Sequence, residues 1–236
     1  MRRPSLAIAV VVLVGATAAP ALAGNPFAFE PANPDITRAY QYASMSEEFC
    51  LAELGERGVP FERVAPTRGV ETPIRFTGPV RGITFLQTYR PELDPRAPAT
   101  ILDCRLGLAI DDLAVILARH GVVEAEYLSM WRPGYSKPGV RHSAGRAIDL
   151  ATVKLVDGAR YSILRDFQGR IGAKTCGYGA EEPRRQTEGT AFWRTTVCEL
   201  ADLRSFNILI TPNYDWGHRD HLHLEVRSSI RWFLTQ

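Results

Sequence analysis

The chain has 236 residues, enough for one compact domain with its own core. Its 28 basic and 26 acidic side chains give a formal net charge of +2, which argues against nucleic acid or another polyanion as the main partner. The four cysteines contain no Cys-x2-Cys pair, which argues against a structural zinc ribbon.

Met1, Arg2 and Arg3 form a basic start, residues 6–14 a short apolar run, and Ala21-Leu22-Ala23 a small-x-small cleavage site. Residues 1–23 therefore read as a signal peptide. The apolar run is broken by Gly15 and Thr17 and is too short to span a bilayer comfortably, so no membrane association is expected after cleavage. Without Arg2 and Arg3 the mature chain balances 26 basic against 26 acidic residues. In an exported protein, Cys50, Cys104, Cys176 and Cys198 read as disulfides. Three pairings are open; Cys50–Cys104 with Cys176–Cys198 is favoured because each bridge would staple a separate part of the chain.

Residues 24–40 read as an N-terminal arm, and residues 41–236 as one domain. Ser44-Met45-Ser46-Glu47 carries a capping-box pattern ahead of a helix presenting Met45, Phe49, Ala52 and Leu54, ended by Gly58 and Pro60. Residues 61–89 predict short strands or an irregular hairpin, and residues 91–98 a loop. Residues 101–120 predict the longest helix, with Leu106, Ile110, Leu113 and Leu117 buried and Gly121 at the cap. His120 sits in its last turn, where a histidine has an ordinary electrostatic role. Strands are predicted over residues 122–131, 147–156 and 159–164, the last two joined by an Asp157-Gly158 turn. Residues 169–186 read as a surface loop, 190–203 as a helix and 206–211 as a buried strand. No regular βαβ rhythm emerges, so the expected class is α+β with a small antiparallel sheet and flanking helices.

The chemistry concentrates near the C-terminus. Three of the five histidines, His218, His221 and His223, fall within six residues. From His221 to Val226 polar and apolar residues alternate, with Asp220 at the rim, which places Leu222, Leu224 and Val226 on a core face and His221, His223 and Glu225 on the other. Upstream, His142 and Asp149 flank Gly145 in a His-x6-Asp spacing. His142, Asp149 and His223 together would supply two nitrogens and one oxygen, a three-ligand set that suits catalytic zinc with a fourth position for water.

These motifs resemble the LAS-type zinc peptidases, the group of lysostaphin, D-Ala-D-Ala carboxypeptidases and hedgehog. The His-x-x-His-x-His run of residues 218–223 is most similar to the penicillin-insensitive murein endopeptidases. The wider chain resembles bacterial proteins with an extensin-like C-terminal domain. The resemblance implies a hedgehog/D-Ala-D-Ala peptidase-like fold, zinc held by His142, Asp149 and His223, and amide hydrolysis in peptidoglycan stem peptides or crosslinks. It implies His221 as a support for the oxyanion, His218 as general base with Asp220 as the alternative, and Arg132 as a substrate-binding group. Two positions depart from it: Val140 stands where relatives have serine, and the base glutamate of the carboxypeptidases has no counterpart. A zinc-containing module that binds cell-wall peptide without cutting it is the competing expectation, and a purely structural wall protein the third.

Overall fold

The computed structural model of the chain describes residues 25–88, 97–134, 141–228 and 230–236. The expected signal peptide, most of the 91–98 loop and Val140 lie outside the described residues. In chain order the elements are β1 (Ala28–Phe29), α1 (Arg38–Ser44), α2 (Glu47–Glu56), β2 (Phe61–Arg63), β3 (Pro73–Phe76), β4 (Thr84–Gln87), β5 (Leu102–Asp103) and α3 (Cys104–Arg119). They continue with β6 (Val122–Tyr127), β7 (Ala147–Leu155), β8 (Arg160–Ser162), α4 (Ile163–Asp166), α5 (Glu188–Leu203), β9 (Ile208–Ile210), β10 (Leu222–Glu225) and β11 (Phe233–Thr235).

The class is α+β, but the sheet is mixed rather than small and antiparallel. Eight strands run β1-β11-β9-β10-β7-β6-β4, with β8 also paired to β7, and β2-β3-β5 form a second, three-stranded sheet. β4 pairs with β6 and β9 with β11 in parallel. The physical reason for the first is α3, which stands between β4 and β6 in sequence: a parallel pair needs a long crossover, and this helix supplies it. The alternation of strand and helix occurs once, too little to register as a rhythm.

α3 is the hub of the core. Leu106, Ile110, Leu113 and Leu117 are all fully buried, as the spacing predicts, and each such side chain contributes roughly 1.5–3 kcal/mol. Asp103 caps the helix by accepting from Arg105 N, and Gly121 takes a positive φ just beyond its end. Asp111 and Asp112 are also buried on this helix, and Arg38, Arg57 and Arg81 surround them at ion-pair distance. His120 meets Glu199 at 3.2 Å, in keeping with its ordinary role.

Two local readings need correction. The α2 cap is Ser46, whose side chain accepts from Phe49 N, and Ser44 instead ends the separate helix α1. The buried face of α2 carries Cys50 and Leu54, while Phe49 is 70% exposed. Hydrophobicity alone places Phe49 inside, whereas the face that meets the core is set by Cys50, bridged to Cys104, and Leu54 one turn on. The favoured cysteine pairing is present: Cys50–Cys104 joins α2 to α3, and Cys176–Cys198 ties the long loop to α5. No described helix is long and apolar enough to cross a membrane.

Candidate metal centre

The site forms where β7 and β10 run side by side. Their antiparallel register sets His223 directly opposite Asp149, across a separation of 74 residues. Leu222, Leu224 and Val226 anchor β10 in the core as predicted. His223 and Glu225, on the opposite face, are buried as well.

His142 enters from a short 3-10 turn over Arg141–Ala144, directly before β7. Its carbonyl accepts from both Arg132 N and Gly145 N, which fixes the turn. Gly145 has φ +64, and a Cβ there would come within 2.8 Å of Asp103 N. Only glycine allows this turn to pack against β5 and deliver His142 and Asp149 into one volume.

Asp149 is the centre of the cluster. Its Oδ1 lies 3.1 Å from His142 Nε2, 3.0 Å from His223 Nδ1 and 3.5 Å from His221 Nε2. Its Oδ2 accepts from Arg132 Nη2 at 2.8 Å and from Ser129 Oγ at 3.3 Å. One ligand atom from each of His142, Asp149 and His223 falls within 4.8 Å of the others. Tetrahedral zinc with bonds near 2.1 Å sets its ligand atoms roughly 3.3 Å apart, so the two nitrogen–oxygen separations suit it.

The far side of each ring supports the same reading. His142 Nδ1 faces the Met130 carbonyl at 3.2 Å; a proton donated there would leave Nε2 free to give its lone pair to a metal. His223 turns Nδ1 inward, and its Nε2 lies 3.5 Å from Glu225 Oε2. Glu225 is fully buried, and neither of its oxygens has a hydrogen-bond partner among the described residues. A buried carboxylate behind an imidazole is the arrangement that orients metal-bound histidines.

His218 and His221 complete the ring. His218 sits 5.2 Å from His221 and 5.9 Å from His223, centroid to centroid. Asp215 Oδ1 meets His218 Nδ1 at 2.7 Å, and Asp220 Oδ1 meets His221 Nδ1 at 2.8 Å. Asp220 is thus engaged in holding His221. Arg132, whose side chain is 39% exposed, is bound to Asp149. All seven residues singled out in the sequence therefore come together. Ser129, the Met130 carbonyl, Asp215 and the role of Glu225 went unread. Asp215 could have been found from its spacing of three to His218; Ser129 carries no such signal.

Electrostatics follow from this packing. Burial works against ionisation of Asp149, yet His142 and His223 outweigh it and hold the carboxyl well below its ordinary range. Burial alone would lower His223, but Asp149 and Glu225 push it up to about 9. Burial prevails at His218, which is lowered despite Asp215. The proton on His223 competes with any cation for Nδ1, because metal binds neutral imidazole. Metal affinity should therefore rise with pH, about tenfold per unit while His223 remains protonated in the metal-free state, and level off towards pH 9. Zinc titrations from pH 6 to 8 check this; a flat affinity would contradict it.

What these features define is an α+β domain with a buried His/Asp cluster of metal-ligand character. Residues 134–234 match the family model described as the extensin-like protein C-terminus. The match takes in His142, Asp149, His218, Asp220, His221 and His223, with Arg132 just before it. No curated protein and no solved structure matches the chain.

Proposed function

We propose that the chain is an exported zinc metallopeptidase-like hydrolase acting on amide bonds of peptidoglycan stem peptides or crosslinks. The observation that carries this reading is the convergence of His142 Nε2, Asp149 Oδ1 and His223 Nδ1, with the Met130 carbonyl behind one ring and the buried Glu225 carboxylate 3.5 Å behind the other. Zinc would be held by these three residues and would supply a Lewis acid and a bound water of lowered pKa. The peptidoglycan substrate class follows from the likeness of the His-x6-Asp and His-x-His motifs to murein peptidases. Two disulfides and the signal-like N-terminus support export.

The chain's own residues divide the work. Asp215 receives the Nδ1 proton of His218 and so keeps Nε2 as proton acceptor; the lowered pKa keeps that ring neutral at pH 7. Asp220 holds His221 through Nδ1, and Nε2 of His221 is directed to the cluster; the oxyanion role assigned to it needs a ring protonated on both nitrogens, with the Nε2 N–H donating. Arg132 secures Asp149 and, being part-exposed, is the group we assign to a substrate carboxylate or backbone.

One observation favours the competing reading of a zinc-containing wall-binding module: Asp220, the acidic candidate for the base, is engaged on His221. Two measurements decide. Elemental analysis of protein purified without chelator should give about one zinc per chain, as a two-nitrogen, one-carboxylate set predicts. Digestion of purified sacculi, with mass analysis of what is released, should yield peptide fragments. Zinc far below stoichiometric removes the metal site. Full zinc without any release leaves the binding module.

A further inference from the structure

A groove of about 520 Å³ opens beside the His218–Asp215 pair, and Asp215 belongs to both. Trp216, Leu164 and Ile171 line it and are 71%, 62% and 52% exposed. Large apolar side chains left together in water mark a binding face. Arg184 and Arg219 line the same groove, and neither has a carboxylate at ion-pair distance among the described residues. Arg219 lies over the Trp216 ring at 5.1 Å and donates to the Trp216 carbonyl. Asp215, the acid of the groove, is committed to His218. The balance of uncommitted charge is thus positive.

The wall of the groove is built rather than incidental. Asn213 is fully buried; its Oδ1 accepts from Arg170 N at 2.8 Å, and its carbonyl accepts from Gly172 N at 2.7 Å. Its Nδ2 donates to Thr175 Oγ1 at 3.0 Å. A Cβ at position 169 would collide with Asn213 Oδ1, so Gly169 is needed for this clamp to close. The loop bearing Ile171 is thereby held against the segment bearing Asp215 and Trp216.

We propose that this groove is a subsite for a carboxylate-bearing peptide segment flanking the bond at the metal centre. The carboxylate meets Arg184 and Arg219, and aliphatic portions lie on Leu164, Ile171 and Trp216. A planar guanidinium recognises a carboxylate through paired hydrogen bonds, and an apolar floor beside it selects a peptide over a free anion. That the segment belongs to cell-wall peptide rests on the proposed function; the carboxylate chemistry does not.

The test is equilibrium binding to the full chain, with two probes. One is peptidoglycan fragments solubilised by a muramidase, compared with the same fragments after their carboxylates are converted to amides. The other is poly-L-glutamate. Native fragments should bind at least about tenfold more tightly than amidated ones, the scale of a charge-assisted hydrogen bond. Arg184→Gln combined with Arg219→Gln should erase that difference, since the two changes remove one interaction. Equal binding of native and amidated fragments, or a preference that survives the double variant, overturns the subsite. Arginine-dependent binding of poly-L-glutamate with no binding of the fragments upholds the carboxylate site and removes the cell-wall reading instead.

Discussion

Replacing His223 with alanine should abolish bound zinc and hydrolysis together. In the proposed site the residue would supply one of three ligand atoms, and it sits in strand register with another, Asp149. Changes to groups that merely orient ligands typically cost 10- to 100-fold in metal affinity, so loss of a ligand should cost more. The variant also strands the buried Glu225 and takes one of several partners from Asp149. Removing one partner of a buried charge pair costs about 3–5 kcal/mol, so a lower melting temperature is expected as well. Glu225→Gln separates the two effects: it keeps all three ligand atoms, so zinc should be weakened rather than lost. Elemental analysis and thermal unfolding of both variants make the comparison. Stoichiometric zinc in a folded His223→Ala protein would sink the ligand assignment.

His218→Ala should keep zinc and lose rate. General-base assistance is typically worth about 100- to 10,000-fold, and that is the expected fall in kcat on sacculi or model stem peptides. Because burial lowers the pKa of His218, the acid limb of the wild-type rate profile should lie below the ordinary histidine range. Protonation then removes the base as pH falls, and the rate falls with it. Asp220→Asn is the matching control, since it removes charge at constant shape. A full rate in His218→Ala with a loss in Asp220→Asn would move the base to Asp220. Full rates in both would show that neither residue is the base.

The clustering of His142, Asp149 and His223 was legible because its parts obey short-range rules. Alternation over 221–226 placed His223 opposite the core face, and Gly145 between His142 and Asp149 signalled a turn back into a strand. What could not be read is whatever depends on pairing between distant strands. Ser129 reaches Asp149 because the segment after β6 continues alongside β7, with Asp149 N bonded to the Ser129 carbonyl. No local pattern announces that. The mixed sheet escaped for the same reason: the direction of β11 against β9 is decided by where the chain returns, not by the two strands themselves. The α2 cap was lost to a choice between two serines two residues apart, each a competent cap by composition.

The two disulfides differ in what a reductant would do to them. Cys50 and Cys104 are fully buried between α2 and the start of α3, whereas Cys176 and Cys198 are partly exposed. Attack on a disulfide requires a thiolate to reach a sulfur, so Cys176–Cys198 should open first. Alkylation during graded reduction, read by peptide mass, would show that order; simultaneous opening would contradict it. By chain entropy the bridges are worth about 4 and about 3 kcal/mol for their separations of 54 and 22 residues. The first to go ties to α5 the loop whose Arg170, Ile171 and Arg184 line the proposed subsite, and the last holds the core. Mild reducing conditions would therefore loosen the rim of the proposed subsite while leaving His142, Asp149 and His223 in place, so that any capture of ligand there would fail before the fold does.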